Sequence, residues 1–303
     1  MRQARRVAFV PAHISGFFQP FITENPERSG SRNCGPCLEE GVTTEVEVRR
    51  GEGVSLEVLV DGRRERAETT ERVAREIMSW CGGGYSVRIS HRCGVPVGAG
   101  YGASGAGALG AAMALSDALG LERPVEDLQG AAHRAEVICR TGLGDVGAQV
   151  IGGLVLTLSP GAPPHGRWMR IPVPEDIRIV CATMGEIPTD EVLGDPSIMR
   201  RVRAAGKKAF ERVRSSPTVE EFLSASRGFM EETGLADDDV EELVEVAEGA
   251  GAMGASQAML GRSIFAFCRS SSARRVMEEI RKRRDVPYLT VTRVRERGAE
   301  LAR

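Results

Sequence analysis

The sequence predicts an α+β protein of two domains, and three observations lead there. The chain has 303 residues, 42% of them hydrophobic, and single cores seldom grow beyond ~250–300 residues. The stretch from Ser159 to Pro174 holds five prolines and reads as the connection between a domain spanning 1–160 and another spanning 175–303. Short alternating apolar runs and longer helical ones are interleaved in both halves.

Val7 to Val10 is a short strand, and Pro11 to Gly41, rich in Gly, Ser, Asn and Pro, reads as a long irregular segment. Ordered loops of that length are often functional. Val42, Thr44, Val46 and Val48 alternate with polar residues, and Ser55 to Val60 answers them across Gly51-Glu52-Gly53, the pattern of a hairpin. A helix is expected over 68–80, a strand from Tyr85 to His91 and a helix over 104–119. Pro124 opens another that runs to about Cys139, since proline suits the first turn and Glu126 and Asp127 lie near its positive end. Gly142 ends it, Gly144-Asp145 form a tight glycine turn that opens the next element, and Gly152 to Leu158 is a strand. Beyond the connection, Ile177 to Thr183, Ser263 to Cys268 and Tyr288 to Val294 read as strands. Helices are expected over 196–214, 218–233, 238–249 and 271–284.

Residues 94 to 110, GVPVGAGYGASGAGALG, place seven glycines in seventeen positions directly before an alanine-rich helix. Glycines let a backbone approach a ligand closely, and a helix start beside them points unpaired N–H groups at an anion. The segment therefore reads as a phosphate cradle, with Pro96, Gly98, Gly100, Tyr101, Gly102, Ala103, Ser104, Gly105 and Gly107 as its nucleotide-binding residues. The chain's lysines are Lys207, Lys208 and Lys282, so neither a Walker loop nor a protein-kinase strand lysine is present. Gly100 to Gly105 fits G-x-G-x-x-G, but the acidic strand end required roughly 20 residues later falls at Leu121 to Pro124, a helix junction, which argues against a dinucleotide fold. The cradle must hold phosphate with backbone N–H groups, a serine and a metal ion.

Forty basic against forty-two acidic side chains argue against a general nucleic-acid binder, and Arg281 to Arg284 reads as a solvated helix end. No apolar run approaches the ~20 residues of a membrane span and the N-terminal apolar run is too short for a signal peptide, so a cytoplasmic protein is expected. Seven scattered cysteines do not suggest a disulfide framework. Cys34-Gly35-Pro36-Cys37 has the form of a redox pair, yet no strand-forming run leads into it and no second pair completes a zinc site; a small-residue turn near the site is expected instead.

His133 and Glu136 are three apart on one helix and share a face. Asp145 follows among Gly142, Gly144, Gly147, Gly152 and Gly153, which leave room for a ligand. Phosphoryl transfer needs a magnesium ligand and a group to receive a hydroxyl proton. Ser104 and Glu136 suit Mg²⁺, and Asp145 suits the alcohol.

These residues carry a family resemblance. PVGAGYGASGAGALGAA resembles the phosphate-binding motif of the GHMP kinases, with Ser104 in the place of the metal-facing serine. His133-Arg134-Ala135-Glu136 with Gly142-Leu143-Gly144-Asp145 resembles that superfamily's helix glutamate and catalytic aspartate, and residues 254–261 occupy the place of its third glycine-rich motif. Within the superfamily, Val10 to Phe18, Ser29-Gly30-Ser31, AAHRAEVICRTGLGDV and SRGFMEETGL are similar to segments of the archaeal pantoate kinases, which transfer the γ-phosphate of ATP to the 4-hydroxyl of (R)-pantoate on the archaeal route to coenzyme A. The resemblance implies a first domain like domain 2 of ribosomal protein S5, a ferredoxin-like second domain, ATP and Mg²⁺ as cofactors, and a homodimer. The general first motif carries a lysine near His13, whose role here must be filled by His13, Arg28 or His133. Several members have an arginine in the strand after the aspartate, where this chain has Thr157. Ser31, Arg28 and His133 are the expected contacts to pantoate. A GHMP kinase for mevalonate, homoserine or shikimate would keep the same loop and aspartate but change Pro11 to Ser31. A nicotinamide oxidoreductase and a redox or metal module are the readings from other classes.

Overall fold

A computed structural model describes residues 3–186, 195–259 and 261–302. Its larger sheet is organised by one long strand, β3 (Gly30–Gly51), with β1 (Gln3–His13) and β2 (Phe17–Phe21) before it. The C-terminal part of β3 lies between β1 and β6 (Gly84–Cys93); its N-terminal part pairs with β2 and β7 (Leu154–Ser159).

The expected irregular segment from Pro11 to Gly41 is therefore largely strand. It escapes the alternation test because residues 30–38 are buried on both faces apart from a half-buried Arg32, and a doubly covered strand loses its period of two. Cys34 and Cys37 sit in the middle of this strand, not in a turn. The glycine between them permits a close crossing, since a Cβ on Gly35 would stand 1.5 Å from the carbonyl oxygen of Ile14.

The expected hairpin is also corrected. β4 (Ser55–Val60) pairs parallel with β6, which enters between it and β3, and its antiparallel neighbour is β5 (Arg63–Arg64). A parallel pair needs a crossover, here the helix α1 (Glu68–Ser79). The turn signal at Gly51-Glu52-Gly53 reverses the chain without saying which strand will fill the adjacent place. The proline-rich connection contains a strand of its own, β8 (Arg167–Ile171), paired with β7.

On one face of the sheet lie α1, α2 (Ala103–Ala118) and α3 (Val125–Cys139), followed by the short α4 (Asp145–Ile151). Helix α2 is buried almost all round; its Gly and Ala side chains let it pack between β1 and β3 below and α1 and α3 beside it. Small residues are the reason so many neighbours fit around one helix.

The smaller sheet is antiparallel, in the order β10 (Gly254–Gln257), β11 (Gly261–Arg269), β9 (Ile177–Glu186), β12 (Tyr288–Thr292). Among the described residues four helices accompany it: α5 (Pro196–Ser215), α6 (Val219–Thr233), α7 (Asp238–Gly249) and α8 (Ser270–Arg283). Asp195, Thr218 and Asp237 cap the first three by accepting bonds from first-turn N–H groups. Val180, Leu243, Ile264 and Val276 form a core of their own, whereas Phe222, Phe229 and Val202 join Phe17 and Phe18 in the main core. Past β12 the chain returns to the larger sheet, where β13 (Glu300–Leu301) pairs with β1. Among the described residues no helix is long and apolar enough to cross a membrane.

Candidate active site

A cleft of about 800 Å³ opens between the glycine loop, the start of α1 and the turn before α4, with Met259 closing one side. Gly98, Gly100 and Gly102 all have positive φ. Gly102 is the N-cap of α2 and offers no side-chain oxygen, so the first-turn N–H groups of α2 are left for an anion. A Cβ on Gly102 would stand 3.0 Å from Cγ of Asp145; loop and carboxylate meet because that position has no side chain. The segment before β11 braces the loop from behind. Ser263 donates to the carbonyl of Ala99 at 2.8 Å, and a Cβ on Gly100 would lie 3.0 Å from the carbonyl oxygens of Ala258 and Met259. Leu260, part of the third glycine-rich segment, lies outside the described residues.

Asp145 is the first residue of α4, not a loop residue, and its Oδ1 lies 2.7 Å from Nδ1 of His13. Gln149, one turn later, donates to the carbonyl of Gly102 at 2.9 Å and ties α4 to the glycine loop. Ser31 and Asn33, two apart on β3, bring their polar ends to the same place: a Cβ on Gly144 would be 2.6 Å from Ser31 Oγ and 2.9 Å from Asn33 Nδ2. Asn33 donates to Ser15 Oγ at 3.1 Å. Ser15 and Asn33 both line the cleft. Asn33 was legible only as the i+2 neighbour of Ser31, once that segment is known to be a strand.

Glu136 lies one layer back. Its carboxylate is 1% exposed, packed behind Gly105 and Gly142, and neither oxygen has a hydrogen-bond partner among the described residues. Burial first, and then the charge of Asp145, pushes its carboxyl well above the ordinary carboxylate range. A buried carboxylate with two vacant oxygens fits a cation. Ser104, adjacent to Gly105, lines the cleft and donates to Thr69 Oγ1 at 3.3 Å, which in turn meets Thr141 Oγ1 at 3.0 Å. No cage of three His, Cys, Asp or Glu side chains occurs among the described residues. One carboxylate plus a hydroxyl suits Mg²⁺, which keeps waters and substrate phosphates as its other ligands.

Of the remaining expected nucleotide-binding residues, Ala103 and Gly107 line the cleft with Gly98, Gly100, Gly102 and Ser104. Tyr101 borders it, but its ring is buried and its hydroxyl bonds Thr183 of β9 at 2.8 Å. Pro96 and Gly105 are not in the lining, Gly105 because it faces Glu136. Three expected substrate contacts are not in the cleft lining. Arg28 is exposed outside the cleft. His133 is buried and donates from Nε2 to the carbonyl of Ser29 at 2.8 Å; burial lowers its pKa, so it braces the Ser29 turn as a neutral ring. His13 has no exposed surface and touches Asp145 instead. Thr157 is buried with an unpartnered hydroxyl.

One cleft residue carried no sequence signal. His91 lies beneath Gly107, held by Thr44 at Nδ1 (2.9 Å) and Thr70 at Nε2 (3.0 Å), and burial lowers its pKa to about 4. Cys34 and Cys37 are buried and free, and desolvation raises both thiols well above their ordinary range.

Residues 68–153 match the family model described as the GHMP kinases N terminal domain. The pantoate kinase of Thermococcus kodakarensis is 32% identical over 289 residues, covering 93% of each chain. The chain belongs to the pantoate kinase family of GHMP kinases. The pantoate kinase of Methanocaldococcus jannaschii is 30% identical over 87% of this chain and 93% of its own. A solved structure described as a phosphotransferase related to the CoA biosynthesis pathway superposes with a TM-score of 0.89 at 27% identity, over 99% of both chains. Homoserine kinase from Cytophaga hutchinsonii, at 19% identity and a TM-score of 0.76 over 98% of this chain and 97% of its own, shares the fold. The matched segment runs from the start of α1 through Ser104, Glu136 and Asp145 to Gly153, so it encloses most of the cleft's polar residues.

Proposed function

We propose that this chain is a pantoate kinase, transferring the γ-phosphoryl group of ATP to the 4-hydroxyl of (R)-pantoate on the archaeal route to coenzyme A. The observation that carries the reading is the meeting of Asp145 with the glycine loop in one cleft, in a chain that matches pantoate kinases along nearly its whole length. In the transfer, the 4-oxygen bonds to the γ-phosphorus, the bond to the β–γ bridging oxygen breaks, ADP leaves, and the hydroxyl proton goes to the Asp145 carboxylate or is oriented by it. The N–H groups at the start of α2 hold phosphate oxygens, and Ser31 is assigned to the acceptor's polar groups. Glu136 and Ser104 would hold Mg²⁺, which supplies the positive charge that a loop without lysine lacks. A homodimer belongs to the same reading and is tested by sedimentation.

A coupled assay for ADP release with Mg-ATP and, in turn, pantoate, mevalonate, homoserine and shikimate tests the acceptor. Turnover is expected with pantoate; efficient turnover of another alcohol in its place overturns the assignment. Asp145→Asn is expected to lower turnover by roughly 100- to 10,000-fold while leaving ATP binding nearly unchanged by calorimetry. A variant that keeps more than about a third of the wild-type rate removes Asp145 from the reaction.

A further inference from the structure

His13 lies outside the cleft, yet its side-chain partner lines it. The imidazole, on the last residue of β1, is fully buried, and the flanking residues Ala12 and Ile14 have no exposed surface either. Nδ1 stands 2.7 Å from Asp145 Oδ1, and Nε2 has no partner among the described residues. Leaving one buried polar atom unpaired costs ~1–3 kcal/mol, so packing alone supplies no reason for a histidine here. The backbone fixes the ring from two sides. The N–H of His13 donates to the carbonyl of Tyr101 in the glycine loop at 3.0 Å, and a register shift between Pro11 and His13 sets His13 opposite Cys37. Such a shift re-aims a side chain, and this one ends on the carboxylate.

We propose that His13 is a positioning residue for Asp145. Its Nδ1–H holds Oδ1, so that the other carboxylate oxygen, which has no protein partner among the described residues, faces the acceptor hydroxyl. The proposal rests on the phosphotransfer reading above. A carboxylate held before the acceptor arrives spends no binding energy on its own orientation, and small misplacements of a reacting group are costly. His13 acts through Asp145 and touches neither substrate, because no part of it reaches the cleft.

The test is a double-mutant cycle, with steady-state and single-turnover rates on ATP and pantoate for wild type, His13→Ala, His13→Asn, Asp145→Asn and both double variants, each checked by thermal unfolding. Asparagine keeps an N–H donor near the position of Nδ1. His13→Ala is expected to lower kcat roughly 30- to 100-fold, with KM for both substrates within about threefold, and His13→Asn to regain most of the loss. In the Asp145→Asn background either change at 13 should cost less than about twofold, because nothing remains to be positioned. A raised KM for pantoate at unchanged kcat, or losses that simply multiply with Asp145→Asn, overturns the proposal. If the alanine variant does not fold, the asparagine cycle decides alone. Absence of pantoate turnover in the wild type counts against the acceptor assignment instead, and the cycle is then run with the alcohol that is turned over.

Discussion

Glu136 is a buried carboxylate whose two oxygens have no partner among the described residues. Replacing such an unpaired buried carboxylate by a neutral amide relieves the fold when no cation is bound. Glu136→Gln is therefore expected to be at least as stable as wild type in EDTA, yet to lose most of the rise in melting temperature that Mg²⁺ with ATP gives the wild type. Ser104→Ala should show a smaller loss of the same rise. An undiminished rise in both variants overturns the metal-ligand assignment. His91 makes a separate prediction. Its pKa is lowered from 6.5 to about 4, so as pH falls the unfolded chain takes the proton first. The stability this neutral ring supports is fully present above pH 6.5 and drains as pH falls toward 4. Between pH 7 and pH 4.5 urea unfolding should show wild type losing about 2 kcal/mol more than His91→Gln. Burial of Glu136 and His133 is common to both proteins and cancels in the difference. Equal losses would show that His91 is not buried as a neutral ring.

Periodicity located several elements whose neighbours leave one face exposed. Helices over 196–214, 218–233 and 238–249 emerge as Pro196–Ser215, Val219–Thr233 and Asp238–Gly249, each amphipathic and side-chain capped. Strand β3 was legible only from Val42, where its polar alternates begin to face outward. Upstream, Cys34, Gly35 and Cys37 have the composition of a turn and the position of a doubly buried strand. Their context decides their chemistry too, because thiols with raised pKa and no exposure are inert. Cys34→Ala with Cys37→Ala is expected to cost some stability through the small cavities left, while phosphoryl transfer stays within about fivefold of wild type and dithiothreitol changes it little. Reversible inactivation by oxidant that disappears in the double variant would instead make the pair a redox switch.

At the scale of the whole molecule, the glycine loop is held against the smaller sheet by a short polar latch. Tyr101 and Thr183 are hydrogen-bonded at 2.8 Å, Thr183 and Ser263 at 3.0 Å, and Ser263 donates to Ala99 at 2.8 Å. The Tyr101 ring also packs edge-on against Tyr288. Tyr101→Phe keeps the ring and removes one link, so urea unfolding should show a loss of about 1–2 kcal/mol. The KM for ATP should rise a few-fold, because the loop is less well held. An unchanged unfolding midpoint would mean that the latch contributes nothing to joining the two sheets.

The sequence by itself determined the α+β class and located the glycine loop and the residues Ser104, Glu136 and Asp145 that the structure brings up to it or behind it, because these are set by local composition and by spacing along single helices and turns. It also excluded a lysine-bearing loop outright. Only the tertiary structure decided what surrounds the trio. The partner of Asp145 is 132 residues away, Ser263 braces a loop 164 residues distant, and His133, well placed on its helix, turns to the Ser29 carbonyl rather than to the cleft. Spacing along one element fixes which residues share its face, but strand pairing and burial select what that face meets, and neither leaves a periodic trace in the chain.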